Sequence, residues 1–294
     1  MKLRRFLLPE SHDPDAKPCA KAHVALEADG QLLDLTTAGC PSLLSILESA
    51  DPVAAVGQWQ ESAPVLKPDE SRVRWLPPLE DQEIWAAGVT YERSKKARME
   101  ESTHSATAYD RVYEADRPEI FFKAAPGRAV GTGAAIGVRK DSHWTVPEPE
   151  LVLVFNSRGQ VAAVTLGDDV SARDIEGENL LYLPQAKIYD RSCAIGPALV
   201  IGADESEVRS WTISLEIERD GASVFQGSTP VARLRRTFTE LGAYLFRSQT
   251  FPNGAALFTG TGIVPPDAFS LRPGDTVRIS LTGVGTLENT VITV

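Results

Sequence analysis

Downstream of residue 84 the chain is cut into short apolar runs separated by turns rich in Gly and Pro. They are Ile84–Val89, Ile120–Lys123, Leu151–Phe155, Val161–Leu166, Ala198–Ile201, Trp211–Arg219, Thr276–Leu281 and Val291–Val294. Runs of this length read as strands. Only Val231–Phe246 carries a long helical spacing, with Leu234, Phe238, Leu241 and Leu245 on one face. So many strands and so few helices exclude alternating βαβ units, and the strands must pair in an antiparallel or mixed arrangement. The expected class is α+β, mostly β.

The first 70 residues have a different texture and are expected to form a small N-terminal accessory domain, leaving 71–294 as the main unit. Val24–Leu35 alternates about Asp29-Gly30, a hairpin signal. Ser42–Gln60 has helical spacing, with Ser42 as the N-cap. Residues 61–80, with Pro64, Pro68, Pro77 and Pro78, read as a linker or crossing segment. Residues 92–116 are polar and charged and are expected to form one or two exposed helices with a loop.

Composition narrows the function. With 294 residues, 43% of them hydrophobic, the chain has ample apolar material for a core. A net charge of −10 disfavours non-specific contact with nucleic acid or anionic lipid. No stretch approaches a membrane span, and the basic start is cut off by Pro9-Glu10 before it resembles a signal peptide. Cys19, Cys40 and Cys193 form no C-x-x-C pair and read as reduced structural thiols. Together these point to a cytoplasmic protein. Gly131-Thr132-Gly133-Ala134-Ala135-Ile136-Gly137 has the wrong spacing for a dinucleotide site.

Chemistry concentrates at Pro147-Glu148-Pro149-Glu150, ahead of the apolar run Leu151–Phe155. Residues two apart on a strand share a face, so Glu148 and Glu150 present their carboxylates side by side. Like charges so placed repel unless a cation, a shared proton or bulk water relieves them. A bare E-x-E is more often an exposed strand edge. Here, however, a hairpin through Asn156–Gln160 leads into Val161–Leu166 and then Gly167-Asp168-Asp169. The hairpin returns Asp168 or Asp169 to the two glutamates. Three oxygen ligands without His or Cys suit Mg²⁺, or Mn²⁺ or Ca²⁺ in the same position, and suit Zn²⁺ poorly. Lys187 follows an apolar run. A snorkelling lysine is its ordinary reading, and a buried acid or base beside a metal is the functional one. Glu119 opens a strand and is either a strand-end charge or a half-buried proton shuttle.

The run Pro147–Val154, then Gly167-Asp168-Asp169-Val170-Ser171-Ala172-Arg173-Asp174-Ile175-Glu176, Tyr182–Lys187, Cys193–Pro197, Phe258–Gly262 and Leu271–Asp275 resembles the fumarylacetoacetate hydrolase superfamily over roughly residues 84–294. The resemblance implies a mixed β-roll, a homodimer, and a divalent metal on Glu148, Glu150 and Asp169. Gly88–Ser94 and Arg117–Lys123 look most like the branch that dehydrates 2-keto-3-deoxy-D-arabinonate to 2,5-dioxopentanoate. By that likeness Lys187 and Glu119 transfer protons, and Tyr91, Arg173 and Thr261 line the site of a small 2-oxo acid. Hydrolytic members often carry a His and a Glu where Ser94 and Ala97 stand, with His104 ten residues beyond Ser94. Their lack favours dehydration over the alternative, C–C hydrolysis of acylpyruvates or 2,4-diketo-3-deoxy sugar acids. Thr261 precedes Gly262 where the superfamily usually has Pro.

Overall fold

A computed structural model describes residues 1–8, 21–66, 73–92 and 111–294. The helices expected over 92–116 fall largely outside these residues, as do Ser94, Ala97 and His104; residues 111–114 are helical. In chain order the strands are β1 (Lys2–Leu7), β2 (His23–Ala28), β3 (Gln31–Asp34), β4 (Val65–Leu66), β5 (Arg74–Leu76), β6 (Glu83–Gly88), β7 (Glu119–Ala124), β8 (Ile136–Val138) and β9 (Thr145–Val146). They continue with β10 (Pro149–Phe155), β11 (Val161–Asp169), β12 (Ser171–Ala172), β13 (Cys193–Val200), β14 (Thr212–Arg219), β15 (Ala222–Pro230), β16 (Ala255–Thr261), β17 (Thr276–Leu281) and β18 (Gly285–Thr293). The α-helices are α1 (Leu43–Leu47), α2 (Pro52–Gln60), α3 (Arg173–Glu178), α4 (Leu183–Lys187), α5 (Glu205–Arg209) and α6 (Phe238–Leu245).

An eleven-stranded sheet runs β4-β3-β2-β1-β13-β11-β10-β16-β6-β7, with β5 also paired to β1. A five-stranded sheet runs β15-β14-β17-β18-β8. The expected α+β, mostly β architecture is therefore observed. Most pairs are antiparallel, but β16 pairs β6 and β18 pairs β8 in parallel, which makes the sheets mixed. The N-terminal strands are hydrogen-bonded to the remainder through β1 and β13.

Two apolar clusters sandwich the large sheet. One joins Leu151, Leu153, Phe155, Val164 and Leu166 to the inner face of the small sheet and to Phe238, Leu241 and Leu245 of α6. The other joins Val152, Val154, Ile195 and Phe258 to Leu3, Leu26 and the helices α1 and α2. The centre of the large sheet is consequently buried on both faces, and β10, β13 and β16 are buried at every residue.

Local chemistry revises several expected boundaries. Asp29 and Gly30 both take left-handed φ, 51° and 74°, as the expected hairpin between β2 and β3 requires. Ser42 does cap α1, its side chain accepting from the Ser45 N–H. The helix expected to continue to Gln60 instead breaks in two. Asp51 caps a new helix by accepting from the Val53 and Ala54 N–H groups, and Pro52 begins it, because proline cannot continue the preceding one. The long helix expected over Val231–Phe246 shortens to α6, since Leu234 is extended and Thr237 caps at the Glu240 N–H. Strands β4 and β5 lie in the stretch expected as a linker, and β1, β8, β9, β12, β15 and β16 were also not expected.

Candidate metal centre and the cleft beside it

The hairpin geometry brings the acids together. Along β10 and β11, Pro149 faces Asp168 and Glu150 faces Gly167, and the Asp169 N–H donates to the Glu148 carbonyl at 3.0 Å. Carboxylate oxygens of Glu148, Glu150 and Asp169 lie within 4.8 Å of one another, and all three residues are buried. Of the two adjacent aspartates, Asp169 joins this cluster. The Oδ1 of Asp168 accepts the Glu148 N–H at 2.8 Å, which fixes the main chain of a neighbouring acid.

Each oxygen in the cluster is held differently. Glu148 receives Arg173 (Nη2 2.8 Å, Nε 3.1 Å) on Oε1 and Lys187 Nζ (2.7 Å) on Oε2. Asp169 receives Lys187 on Oδ2 at 3.1 Å and pairs with Lys123 through Oδ1 at 2.5 Å. Glu150 meets no ammonium or guanidinium at ion-pair distance among the described residues, and accepts the Gly260 N–H at 2.5 Å. Gly260 has φ 90°, and a Cβ there would collide with the Thr90 hydroxyl, so glycine is needed to deliver that N–H.

Electrostatics explains why these acids call for a cation. Burial, then the neighbouring Asp169 and Glu148 charges, hold the Glu150 carboxyl well above the usual range. Burial also pushes Asp168 up to about 7. Among the described residues, the buried carboxylates of Glu148, Glu150, Asp168, Asp169 and Glu176 outnumber the buried cations Lys123, Arg173 and Lys187, and a divalent ion would offset that excess. The cavity between the acids measures about 20 Å³, the scale of one water or ion. The all-oxygen donor set, the charge excess and the cavity size fit Mg²⁺.

Glu119, Arg173, Thr261 and Lys187 join the three acids in lining this cavity. Glu119 stands opposite Gly88 in the β6–β7 pair, and a Cβ at 88 would collide with its carboxylate. Val89, also on the wall, has φ 52°, a left-handed conformation that costs a β-branched residue about 1–3 kcal/mol. Thr261 is fixed by reciprocal bonds with Ile263, at 3.1 and 3.2 Å. Tyr91 is buried and packs beside Gly262, behind Thr261; the cavity wall is made by other residues.

Two groups escaped the sequence reading. Lys123, fully buried, donates to the carbonyls of Lys187 (2.5 Å) and Val170 (3.3 Å) besides pairing with Asp169. The period-two face Glu119, Phe121, Lys123 was the signal for it. Glu176 is also buried, accepts the Ser171 hydroxyl at 2.8 Å, and lines the cavity. A second hollow of about 350 Å³ opens beside the first, lined by Val112, Arg117, Pro118 and Leu180, with Glu119, Glu176 and Leu183 shared between the two.

This fold and this acid cluster place the chain in a family. The profile of the fumarylacetoacetate (FAA) hydrolase C-terminal region matches residues 83–292, and the chain belongs to that family. It is 51% identical over 217 residues to a probable 2-keto-3-deoxyxylonate dehydratase of Haloferax volcanii, covering 74% of each chain. It is 45% identical over 218 residues to 2-dehydro-3-deoxy-D-arabinonate dehydratase of Saccharolobus solfataricus, covering 73% of each. A solved structure of 2-keto-3-deoxy-D-arabinonate dehydratase complexed with magnesium and 2,5-dioxopentanoate matches with TM-score 0.79 and 35% identity, over 100% of this chain and 99% of that one. Among the described residues no helix is long and apolar enough to cross a membrane.

Proposed function

We propose that this chain is a Mg²⁺-dependent hydro-lyase that converts a 2-keto-3-deoxy pentonate of the arabinonate type into 2,5-dioxopentanoate. The observation that carries the reading is the buried Glu148, Glu150 and Asp169 cluster, with Lys187 and Glu119 on the same wall, in a chain about half identical to sugar-acid dehydratases. Glu148, Glu150 and Asp169 hold the ion. When bound, Mg²⁺ supplies Lewis-acid polarisation of the substrate's C2 carbonyl and offsets its carboxylate charge.

The chain's own groups do the rest. Lys187 Nζ and the Glu119 carboxylate divide the proton traffic: one takes the C3 proton and the other protonates the C4 hydroxyl, which leaves as water. The resulting unsaturated 2-oxo acid tautomerises to the C5 aldehyde, and no redox partner is needed. Arg173 keeps Glu148 aimed at the ion. Thr261 lines the substrate side, with Tyr91 supporting it from behind Gly262. Apolar Leu180, Leu183, Val112 and Pro118 keep bulk water from the reacting carbons.

The same reading includes a homodimer, residues 1–70 as an accessory unit to a catalytic portion at 71–294, and a cytoplasmic location. The two described cysteines, Cys40 and Cys193, are free and buried, in keeping with a reducing compartment. Sedimentation of the purified protein measures the oligomer.

The test is product analysis with Mg²⁺ and racemic 2-keto-3-deoxy pentonate. Formation of 2,5-dioxopentanoate that stops on adding EDTA is the expected result. No dehydration, with pyruvate released instead from an acylpyruvate or a 2,4-diketo acid, would move the chemistry to C–C hydrolysis.

A further inference from the structure

The hollow between the three acids, about 20 Å³, holds an ion but not a five-carbon acid. The adjoining cleft of about 350 Å³ has room for the body of the substrate, with its C1–C2 end turned toward the acids. Among the described residues Glu119, Glu176 and Leu183 border both spaces and form the neck between them. Glu119 is committed to proton transfer in the proposed reaction. Leu183 is apolar. Beyond the neck the described cleft walls are mostly apolar (Val112, Pro118, Leu180), and Arg117 is the polar lining group among the described residues there. A substrate carrying hydroxyls at C4 and C5 needs a hydrogen-bond acceptor where those carbons pass.

Glu176 is built for that place. It lies three residues after Arg173 on α3, so the two side chains share a helix face. Arg173 is anchored on Glu148, which turns that face toward the reacting end. Ser171, itself buried, donates to Glu176 Oε2 at 2.8 Å and sets the plane of the carboxylate. A buried carboxylate with a fixed plane accepts from a hydroxyl in a short, charge-assisted bond.

We infer that Glu176 is a specificity-determining residue that accepts a hydrogen bond from the C5 hydroxyl of the substrate, selecting hydroxylated 2-keto-3-deoxy acids over those ending in a methyl group. The inference rests on the dehydratase reading. A site with an acceptor for a hydroxyl rejects the analogue that lacks it, because the acceptor is then left buried without that partner.

The test crosses two substrates with three proteins. The substrates are the 2-keto-3-deoxy pentonate and 4-hydroxy-2-oxopentanoate, which keeps the leaving C4 hydroxyl but ends in a methyl. The proteins are the parent, Glu176→Ala, and Glu176→Gln, which preserves shape and the Ser171 contact should the alanine variant not fold. The parent is expected to prefer the pentonate by roughly 10- to 100-fold in kcat/KM, the worth of one hydrogen bond to a charged group. That preference should collapse toward unity in Glu176→Ala and shrink in Glu176→Gln. Losses of equal size on both substrates, or a parent with no preference, overturn the assignment and leave the dehydratase reading intact. Failure of the parent to dehydrate either substrate overturns both.

Discussion

The two sheets bury their residues differently. In the five-stranded sheet the strands alternate: Ile213, Leu215 and Ile217 point inward while Thr212 and Ser214 meet solvent. In the large sheet β10 has no exposed residue. A strand with one wet face can spend polar residues on solubility. A strand covered on both faces gives each polar side chain a desolvation cost and no water to relieve it. The inner face of the small sheet carries Asn289, whose amide donates to the Gly131 and Ala134 carbonyls and is thereby structurally satisfied. The start of β10 carries Glu150, with Glu148 just before it, and both face other acids. The same face of β10 then turns apolar at Val152 and Val154, under the N-terminal cluster. In the centre of the large sheet Thr165 and Thr259 are satisfied by the Ala198 and Leu151 carbonyls, whereas the acids face one another and stand out as functional.

The sharpest way to break this contrast is to remove a ligand. Glu148→Ala, Glu150→Ala or Asp169→Ala should each lower Mg²⁺-dependent turnover by roughly a thousandfold or more, about 4 kcal/mol of barrier, and abolish the rise in melting temperature on adding Mg²⁺. Retained turnover in any of them would remove that residue from the metal centre. Lys187→Ala and Glu119→Gln should each slow turnover by about 10²- to 10⁴-fold, the usual worth of a positioned acid or base, with Mg²⁺ binding by calorimetry preserved in Glu119→Gln. If both variants retain full activity, the proton-transfer roles are misassigned.

Lys123→Met leaves Asp169 with less compensation in a buried site and is expected to cost about 3–5 kcal/mol in urea unfolding. A neutral result would mean the three buried cations are redundant. In the small sheet, Ile217→Val should cost only about 0.5–1.5 kcal/mol and leave turnover per folded molecule unchanged. A turnover defect there would mean that the two sheets are coupled. On the solvent side of that sheet, Glu216→Gln should stay within about 0.5 kcal/mol of the parent.

Period and turn chemistry made much of this legible. The Asn156–Gln160 turn, the two-residue spacing of Glu148 and Glu150, and the returning Asp168-Asp169 pair are all local, and the structure brings them together as those signals implied. The choice of Asp169 over Asp168 came from family resemblance, because adjacent strand residues point to opposite faces and spacing alone does not say which face is meant. Lys123 and Glu176 escaped for a different reason. Their partners, Asp169 and Ser171, come from other elements, and although Lys123 shares the period-two face of Glu119, that spacing does not say which acid it meets. Strand β1 was missed because Lys2-Leu3-Arg4-Arg5-Phe6 mixes charge with apolar residues. Its Leu3 and Phe6 are buried, and it serves as the bridge from β2 to β13. Strand β16 was read only as a motif; its neighbours β6 and β10 lie more than a hundred residues upstream.

That last pairing also orders events during synthesis. By the time residue 187 has emerged from a ribosome, all three acids, Glu119 and both buried lysines already exist. The N–H that holds Glu150 belongs to Gly260, on a strand that must insert between β10 and β6. Contacts spanning so much chain form slowly and late. A growing polypeptide therefore carries Glu150 without its Gly260 partner through a long stretch of translation, and catalytic competence arrives only when β16 takes its place.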